Sequence, residues 1–369
     1  MKLVLSDYHL KKREEFRCFA DEEIDSVGGF PRDNLSKAGA RGYMGLPIPG
    51  EYGGKGEDFL TYILLIEEIS RKCASTGVIM AVHTSVGSFP LLYFGSEKQK
   101  EAYLPGLAIG KLLGAFALTE AGAGSDAAAL TSSAKATSDG YILNGCKLFI
   151  TSGGEADLYT VFATADRTAG RRGITAFLVE KGTEGLIFGK PEKKMGLHRS
   201  STTELRMEEL FVPLSKRLGS EGDGFAIAMS LLDGGRIGIA AQGLGLAGAS
   251  IDYCIAVLKA GEAQGGKTAQ GTAFKLADLA ARLEAARLLT YRAAAMKEAG
   301  LRCSKEASMA KIFATDLAMA AASCCFDLCG VSCLTDENPA RYFCDAKATQ
   351  IYEGANQIQR IVVAREILK

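Results

Sequence analysis

The sequence predicts an α+β protein in three parts: an N-terminal α-helical domain, a middle β-barrel or sandwich domain, and a C-terminal four-helix bundle. Three observations carry this. Residues 1–112 place apolar side chains three and four apart, the helical spacing. From 113 to 218 the pattern becomes short alternating runs split by Gly, Asn and Asp. From 219 to 369 Ala-rich helical periodicity returns. At 369 residues the chain can hold two or three domains with sizeable cores.

In the first part, residues 60–69 form an amphipathic helix with Glu67 and Glu68 expected on its outer face. Phe30-Pro31, Pro47, Pro49 and Gly53-Gly54 divide the surroundings into short helices. Residues 97–104 read as another helix, expected to stop near Pro105-Gly106. In the middle part, Asn144-Gly145 lies between two strand-like runs within 141–150 and predicts a hairpin. Residues 158–163 and 174–179 are further strands, and 204–212 alternates up to Pro213. In the third part, 274–296 is a long amphipathic helix with Lys275, Asp278, Arg282, Glu284 and Arg287 on its charged side. A second helix spans 304–328, with Lys311 and Asp316 expected in solvent and Phe313, Leu317 and Phe326 in the core.

Composition narrows the function. Lys plus Arg and Asp plus Glu both number 43, so there is no basic excess for a nucleic-acid surface, and no nucleic-acid partner is expected. Residues 1–15 hold a Lys/Arg cluster but no apolar core of signal-peptide length. The run 225–258 is long enough to cross a bilayer, yet Asp233, Arg236 and Asp252 interrupt it at about 2.5–3.5 kcal/mol each near the bilayer centre. It is expected to be a buried helix, with no membrane span. Of ten cysteines, Cys324, Cys325, Cys329 and Cys333 cluster without a C-x-x-C spacing, which fits reduced thiols in a cytoplasm. His9, His83 and His198 are scattered, and no metal site is expected.

Three stretches carry candidate chemistry. In Gln350-Ile351-Tyr352-Glu353-Gly354, one carboxylate stands between an aromatic residue and a glycine, just before a helix for which Asn356 is the expected cap. In an apolar surround such a carboxylate has its pKa raised and suits a general base, although most loop glutamates are simply solvated. Thr119-Glu120-Ala121-Gly122-Ala123-Gly124-Ser125-Asp126 is a glycine-rich turn after an apolar run: either a plain turn or a cradle of backbone N–H groups. There is no G-x-G-x-x-G after a strand. Leu232-Asp233-Gly234-Gly235-Arg236 reads as the opening of a helix, with a charged pair three apart that could be an ordinary surface ion pair.

The run Gln350 to Arg360, QIYEGANQIQR, resembles the C-terminal signature of the acyl-CoA dehydrogenase family. The likeness extends with gaps over nearly the whole chain, and includes LPIPGEYGG at 46–54 and FGSEKQKEAYLP at 94–105. The glycine-rich turn resembles the family's T-E-P-x-A/N-G-S-D, with Ala121 in place of Pro. The resemblance implies a helix–sheet–bundle fold and an FAD enzyme that dehydrogenates a short-chain acyl-CoA or, run backwards, reduces the enoyl-CoA. Electrons would pass to an electron-transfer flavoprotein, and the protein would be a homotetramer or homodimer in the cytoplasm. It assigns Glu353 as the base. Phe116, Leu118, Thr119, Gly124, Ser125, Phe149, Ile150 and Thr151 would border FAD, with Asp327, Gly330, Ala355 and Asn356 added to the cofactor set. Ser125, Asp233, Arg236 and Gly354 would meet the acyl-CoA. Some members carry the base immediately before the Arg of the third stretch, where this chain has Gly235.

The chain departs from the family pattern in three places. The junction at 21–30 is shorter, the R-K-x-F-G-K motif is replaced at 262–267 by a sequence without Arg or Phe, and G-G-x-G-Y becomes Gly330 to Leu334 with a residue missing. The last two predict a looser hold on FAD. That leaves two alternatives to the dehydrogenase: a non-catalytic acyl-CoA-binding homologue, and an acyl-CoA oxidase.

Overall fold

The computed structural model describes residues 5–369; residues 1–4, at the start of the basic N-terminal segment, lie outside the described residues. Helix α1 (Asp7–Glu23) begins where the Ser6 hydroxyl accepts from the His9 N–H. After α2 (Arg32–Ala40), α3 (Phe59–Lys72) starts at Asp58, whose carboxylate accepts from Thr61 N at 2.6 Å. Helix α4 (Ala74–Val82) runs through a π-helical turn, His83–Ser88, into α5 (Phe89–Phe94). Helix α6 (Glu97–Ala108) opens on a Ser96/Gln99 capping box and does not stop at Pro105. A proline removes one donor from a helix, and the Pro105 carbonyl still accepts from Ile109 N at 3.4 Å.

Glu67 and Glu68 correct the expectation for α3. Both are buried. Arg13 reaches both carboxylates, Arg17 reaches Glu68, and Arg287 and Tyr291 reach Glu67. These partners come from α1 and from the C-terminal part, so local periodicity could not reveal them.

The middle part is a single eight-stranded sheet: β1 (Gly114–Ala117), β2 (Ser133–Ala136), β3 (Gly140–Thr151), β4 (Leu158–Thr164), β5 (Ile174–Glu180), β6 (Leu186–Phe188), β7 (Thr202–Pro213) and β8 (Arg217–Leu218). The order is β6-β7-β3-β2-β4-β5-β8, with β1 paired parallel to β4. The expected hairpin at Asn144-Gly145 is absent, because β3 continues through it as a bulge against β7. Asn144 exchanges hydrogen bonds with Glu209 across that bulge at 2.7 and 2.9 Å. Gly145, at φ +148°, passes so close to Ser132 that a Cβ would lie 2.3 Å from its hydroxyl.

The third part holds α7 (Gly224–Ala263), α8 (Gln270–Glu298), α9 (Ser304–Cys329), α10 (Ser332–Thr335), α11 (Glu337–Thr349) and α12 (Asn356–Ile367). The stretches Ala74–Phe94, Gly224–Ala263 and Ser304–Cys329 are long and apolar enough to cross a membrane. In the fold, α7 packs against α3, α8 and α9. A side chain at Gly245 would place Cβ 2.4 Å from the Glu67 carbonyl, so glycine sets the α7–α3 approach. Asp233 and Arg236 lie inside α7 rather than at its start, and both are largely buried. Helix α9 is rotated from the expected face: Leu317 is buried as expected, but Lys311 is fully buried, Asp316 is half-buried and Phe313 is exposed.

Candidate active site

The turn before α12 is built from two consecutive left-handed residues, Glu353 at φ +52° and Gly354 at φ +85°. For a glutamate this conformation costs about 1–2 kcal/mol. Side chains from the helices around it offset that cost. The Gln359 amide donates to the Glu353 and Gly354 carbonyls at 3.2 and 2.9 Å, and is itself held by the Ser308 hydroxyl at 2.9 Å. Lys311 donates to the Gly354 carbonyl at 3.0 Å. Gly354 at φ +85° has a backbone conformation that favours glycine, and a Cβ there would also press on the Gln359 amide, 2.4 Å from its Nε2. The cap of α12 is Ala355, not Asn356. The Asn356 amide is turned inward, accepting from Lys311 at 2.8 Å and donating to Thr315 and Asp316.

The Glu353 carboxylate is directed at α7. A Cβ on Gly235 would stand 2.9 Å from its Oε2, so the missing side chain at 235 is the space this carboxylate fills. Burial pushes the carboxyl above the usual range, while Arg236 and then Lys311 pull it back. Arg236 Nη1 donates to Asp233 at 2.8 Å, and Asp233 accepts from Ser304 at 2.5 Å. Arg236 Nε is buried with no partner among the described residues, a donor left over for a ligand. Among those residues the Glu353 N–H also has no protein acceptor.

The glycine-rich turn lies on the sheet side. Leu148 N donates to the Thr119 carbonyl at 2.8 Å, which brings the turn beside Phe149, Ile150 and Thr151. The Glu120 carboxylate accepts from Lys147 Nζ (2.6 Å), Thr131 N (2.6 Å), Thr131 Oγ1 (2.8 Å) and Ser132 N (3.0 Å), and Lys147 also donates to the Leu118 carbonyl. Burial alone would raise this carboxyl; Lys147 and the other donors hold it down at about 2. Phe149 sits in a second bulge of β3 at φ +57° with its ring 63% exposed, while Ile150 and Leu118 are buried. Phe116 packs on Phe162. Gly122 and Gly124 face open space. An exposed ring next to the strand residue that tethers an open glycine turn, with the buried Ser152 and Thr203 hydroxyls lacking partners among the described residues, fits a large planar cofactor.

The π-helical turn His83–Ser88 separates the two halves and touches both β1 and α7. Fully buried, His83 accepts from Gly114 N at 3.1 Å and donates from Nε2 to the Leu107 carbonyl at 3.1 Å. Burial pushes it down to about 4. Asp327 and Gly330 are not brought to either half. They lie at the far end of α9, roughly 24 Å beyond Lys311 at 1.5 Å per residue, where Asp327 is exposed beside Lys275.

Lys147, Lys311 and His83 were not legible as site residues. Lys311 had one available signal: it stands among Ala307, Ala310, Ala314, Leu317 and Ala318, a buried helical stripe with a single charge.

Comparisons with known proteins agree along the whole chain. Family models for the acyl-CoA dehydrogenase N-terminal, middle and C-terminal domains match residues 6–111, 115–210 and 222–368. An acyl-CoA dehydrogenase of Bacillus subtilis (strain 168) is 49% identical over 366 residues, covering 96% of this chain and 97% of its own. The butyryl-CoA dehydrogenase structure from Megasphaera elsdenii superposes with TM-score 0.94 at 38% identity, covering 100% of both chains. A chain from a structure of the electron transferring flavoprotein of Acidaminococcus fermentans superposes with TM-score 0.95 at 42% identity, again over 100% of both.

Proposed function

The chain belongs to the acyl-CoA dehydrogenase family, and on that premise we propose that it converts a short-chain acyl-CoA thioester to the trans-2-enoyl-CoA. The cofactor is FAD, which when bound takes up the β hydrogen with its electron pair. An electron-transfer flavoprotein is the acceptor that then removes those electrons.

The observation that carries this reading is the placement of Glu353: a carboxylate raised by burial, over a glycine, between two cations. Its task is to take the proton α to the thioester carbonyl. A raised pKa makes it a stronger base, and Arg236 and Lys311 keep enough ionised to act. The α proton becomes acidic only if the thioester oxygen is polarised, and the unpaired Glu353 N–H is the donor this chain offers. Arg236 and Asp233, with Ser125 and Gly354, hold the acyl-CoA. Phe149, Thr151 and the 119–125 turn border the flavin ring, while Asp327 and Gly330 would need a neighbouring subunit to take part. Exposed Phe274, Leu288, Phe313, Val331 and Leu334 on and beside α8 and α9 provide a face for a second copy, which supports a homodimer or homotetramer. We divide the chain at 1–112, 113–218 and 219–369, supported by β1 starting at Gly114 and α7 at Gly224. Ten free cysteines support a reducing cytoplasm.

The test is the visible spectrum of the purified protein before and after butyryl-CoA. Substrate should bleach the flavin, and Glu353→Gln should slow bleaching by about 10²–10⁴-fold with FAD content unchanged. Bleaching of the Gln variant at the wild-type rate would remove Glu353 from the mechanism. Rapid recovery of the flavin colour in air would identify an oxidase instead.

A further inference from the structure

Helix α9 carries a lysine whose part in proton abstraction has so far been only that of a background charge. Lys311 has no exposed surface. Its ammonium has three donors, and the two acceptors it meets, the Gly354 carbonyl at 3.0 Å and Asn356 Oδ1 at 2.8 Å, are both neutral. A buried ammonium without a bonded carboxylate is costly, and burial pushes Lys311 down to about 7 even though Glu353 and Asp316 draw it up. A purely architectural lysine would be expected to pair, as Lys147 does with Glu120. Lys311 instead spends its bonds on the turn that presents Glu353.

We infer that Lys311 is a positioning residue for the base. Its ammonium holds the Glu353–Gly354 turn through the Gly354 carbonyl, and its charge, with that of Arg236, keeps the Glu353 carboxylate ionised until substrate arrives. It has no exposed surface from which to meet a ligand, and its two bonds are to the turn and to Asn356. The groups facing this pair are Tyr62 from α3, Asp233 and Arg236 from α7, Asp316 from α9 and Tyr352 from the turn itself, with Arg360 of α12 paired to Asp316. Tyr62 and Tyr352 are neutral near pH 7 because burial raises both phenols. Asp233 is matched by Arg236, and Asp316 by Arg360. Of the two cations acting on Glu353, Lys311 is therefore the one without a carboxylate of its own among the described residues.

A nearby cation lowers a carboxyl pKa, so removing Lys311 raises that of Glu353 and moves the acid limb of the bleaching rate to higher pH. The variants are Lys311→Met, which removes charge and bonds, and Lys311→Gln, which keeps an amide donor for the Gly354 carbonyl but no charge. In the FAD-loaded protein with butyryl-CoA, both should bleach at least about tenfold slower than wild type at pH 6, with the gap closing towards pH 9. Lys311→Gln should stay closer to wild type at pH 9, since its turn is still tethered. Far-ultraviolet circular dichroism and FAD content check folding, and if the Met variant does not fold, the Gln variant alone decides. A pH-independent loss in both variants would overturn the inference, leaving Lys311 merely structural. The inference rests on Glu353 being the base, and Glu353→Gln separates the two failures. If that variant bleaches normally, the base assignment falls; if it is slow while the lysine variants keep the wild-type acid limb, only the role of Lys311 falls.

Discussion

Two regions of this protein each bury a carboxylate and a lysine, and they have opposite electrostatics. On the sheet side, Glu120 accepts four hydrogen bonds, one from Lys147, and its carboxyl is held at about 2. On the helical side, Glu353 accepts none among the described residues, and its carboxyl is raised while Lys311 is lowered to about 7. Burial is common to both; what differs is whether the charges are bonded to each other. A carboxylate that already holds four donors cannot take a substrate proton, whereas one that holds none can. The first arrangement fixes a loop, and the second leaves a reactive group available.

The sharpest way to break this comparison is to unpair the sheet-side lysine. Lys147→Met leaves Glu120 charged and buried, and should cost about 3–5 kcal/mol of unfolding free energy, measured by denaturant titration. Glu353→Gln should leave stability near wild type while slowing bleaching by about 10²–10⁴-fold. A loss below about 1 kcal/mol in Lys147→Met would show that the sheet-side pair is not what fixes the loop.

A somewhat smaller effect belongs to the seam between the regions. His83 is neutral when folded, with its pKa lowered to about 4 from 6.5. Its contribution is fully present above pH 6.5 and is lost as pH falls from 6.5 towards 4, amounting to about 3 kcal/mol. Asp345, pushed up to about 6 by burial, runs the opposite way: its contribution is present below its ordinary value of 3.8 and is lost as pH rises through 6. The measurement is therefore the difference in stability between wild type and His83→Gln across this window. A difference that does not vary between pH 4 and 6.5 would mean that His83 is not the titrating group.

The mildest expected change is in substrate affinity on the helical side. Arg236→Ala removes the unpaired Nε donor, and should raise KM for butyryl-CoA about tenfold or more while lowering kcat less. The assay belongs at pH 8 or above, where loss of the Arg236 charge least affects ionisation of Glu353. An unchanged KM would exclude Arg236 from acyl-CoA binding.

Much of the architecture was legible because it is local. Short apolar runs between turn residues marked β4 and β5, and helical spacing marked α3, α8 and α9. The Glu353 turn was legible as well, since a glutamate–glycine pair before a helix is a local signal. What escaped depends on partners far along the chain. Glu67 and Glu68 look solvated until Arg13, Arg17 and Arg287 arrive from other helices. Asn144-Gly145 has the composition of a hairpin, but Glu209 and the proximity of Ser132 make it a bulge. Lys311 looks like an outer-face lysine until the α12 turn covers it. In each case the hydrogen-bond partner that decides the outcome lies in another element, beyond the reach of a local pattern.

At Gly235, two backbone positions from different parts of the chain compete for one point in space, since the Glu353 oxygen and a Cβ on α7 would be separated by only 2.9 Å. A side chain at 235 would push against the carboxylate that reaches in from 353. Conversely, a glutamate at 235 would start from the opposite wall of the same small volume. On the proposed mechanism the reaction needs a negative oxygen at that point, whichever helix delivers it. The site is thus better described as an address than as a residue, and the bare α7 backbone at Gly235 is the opening that lets the turn before α12 occupy it.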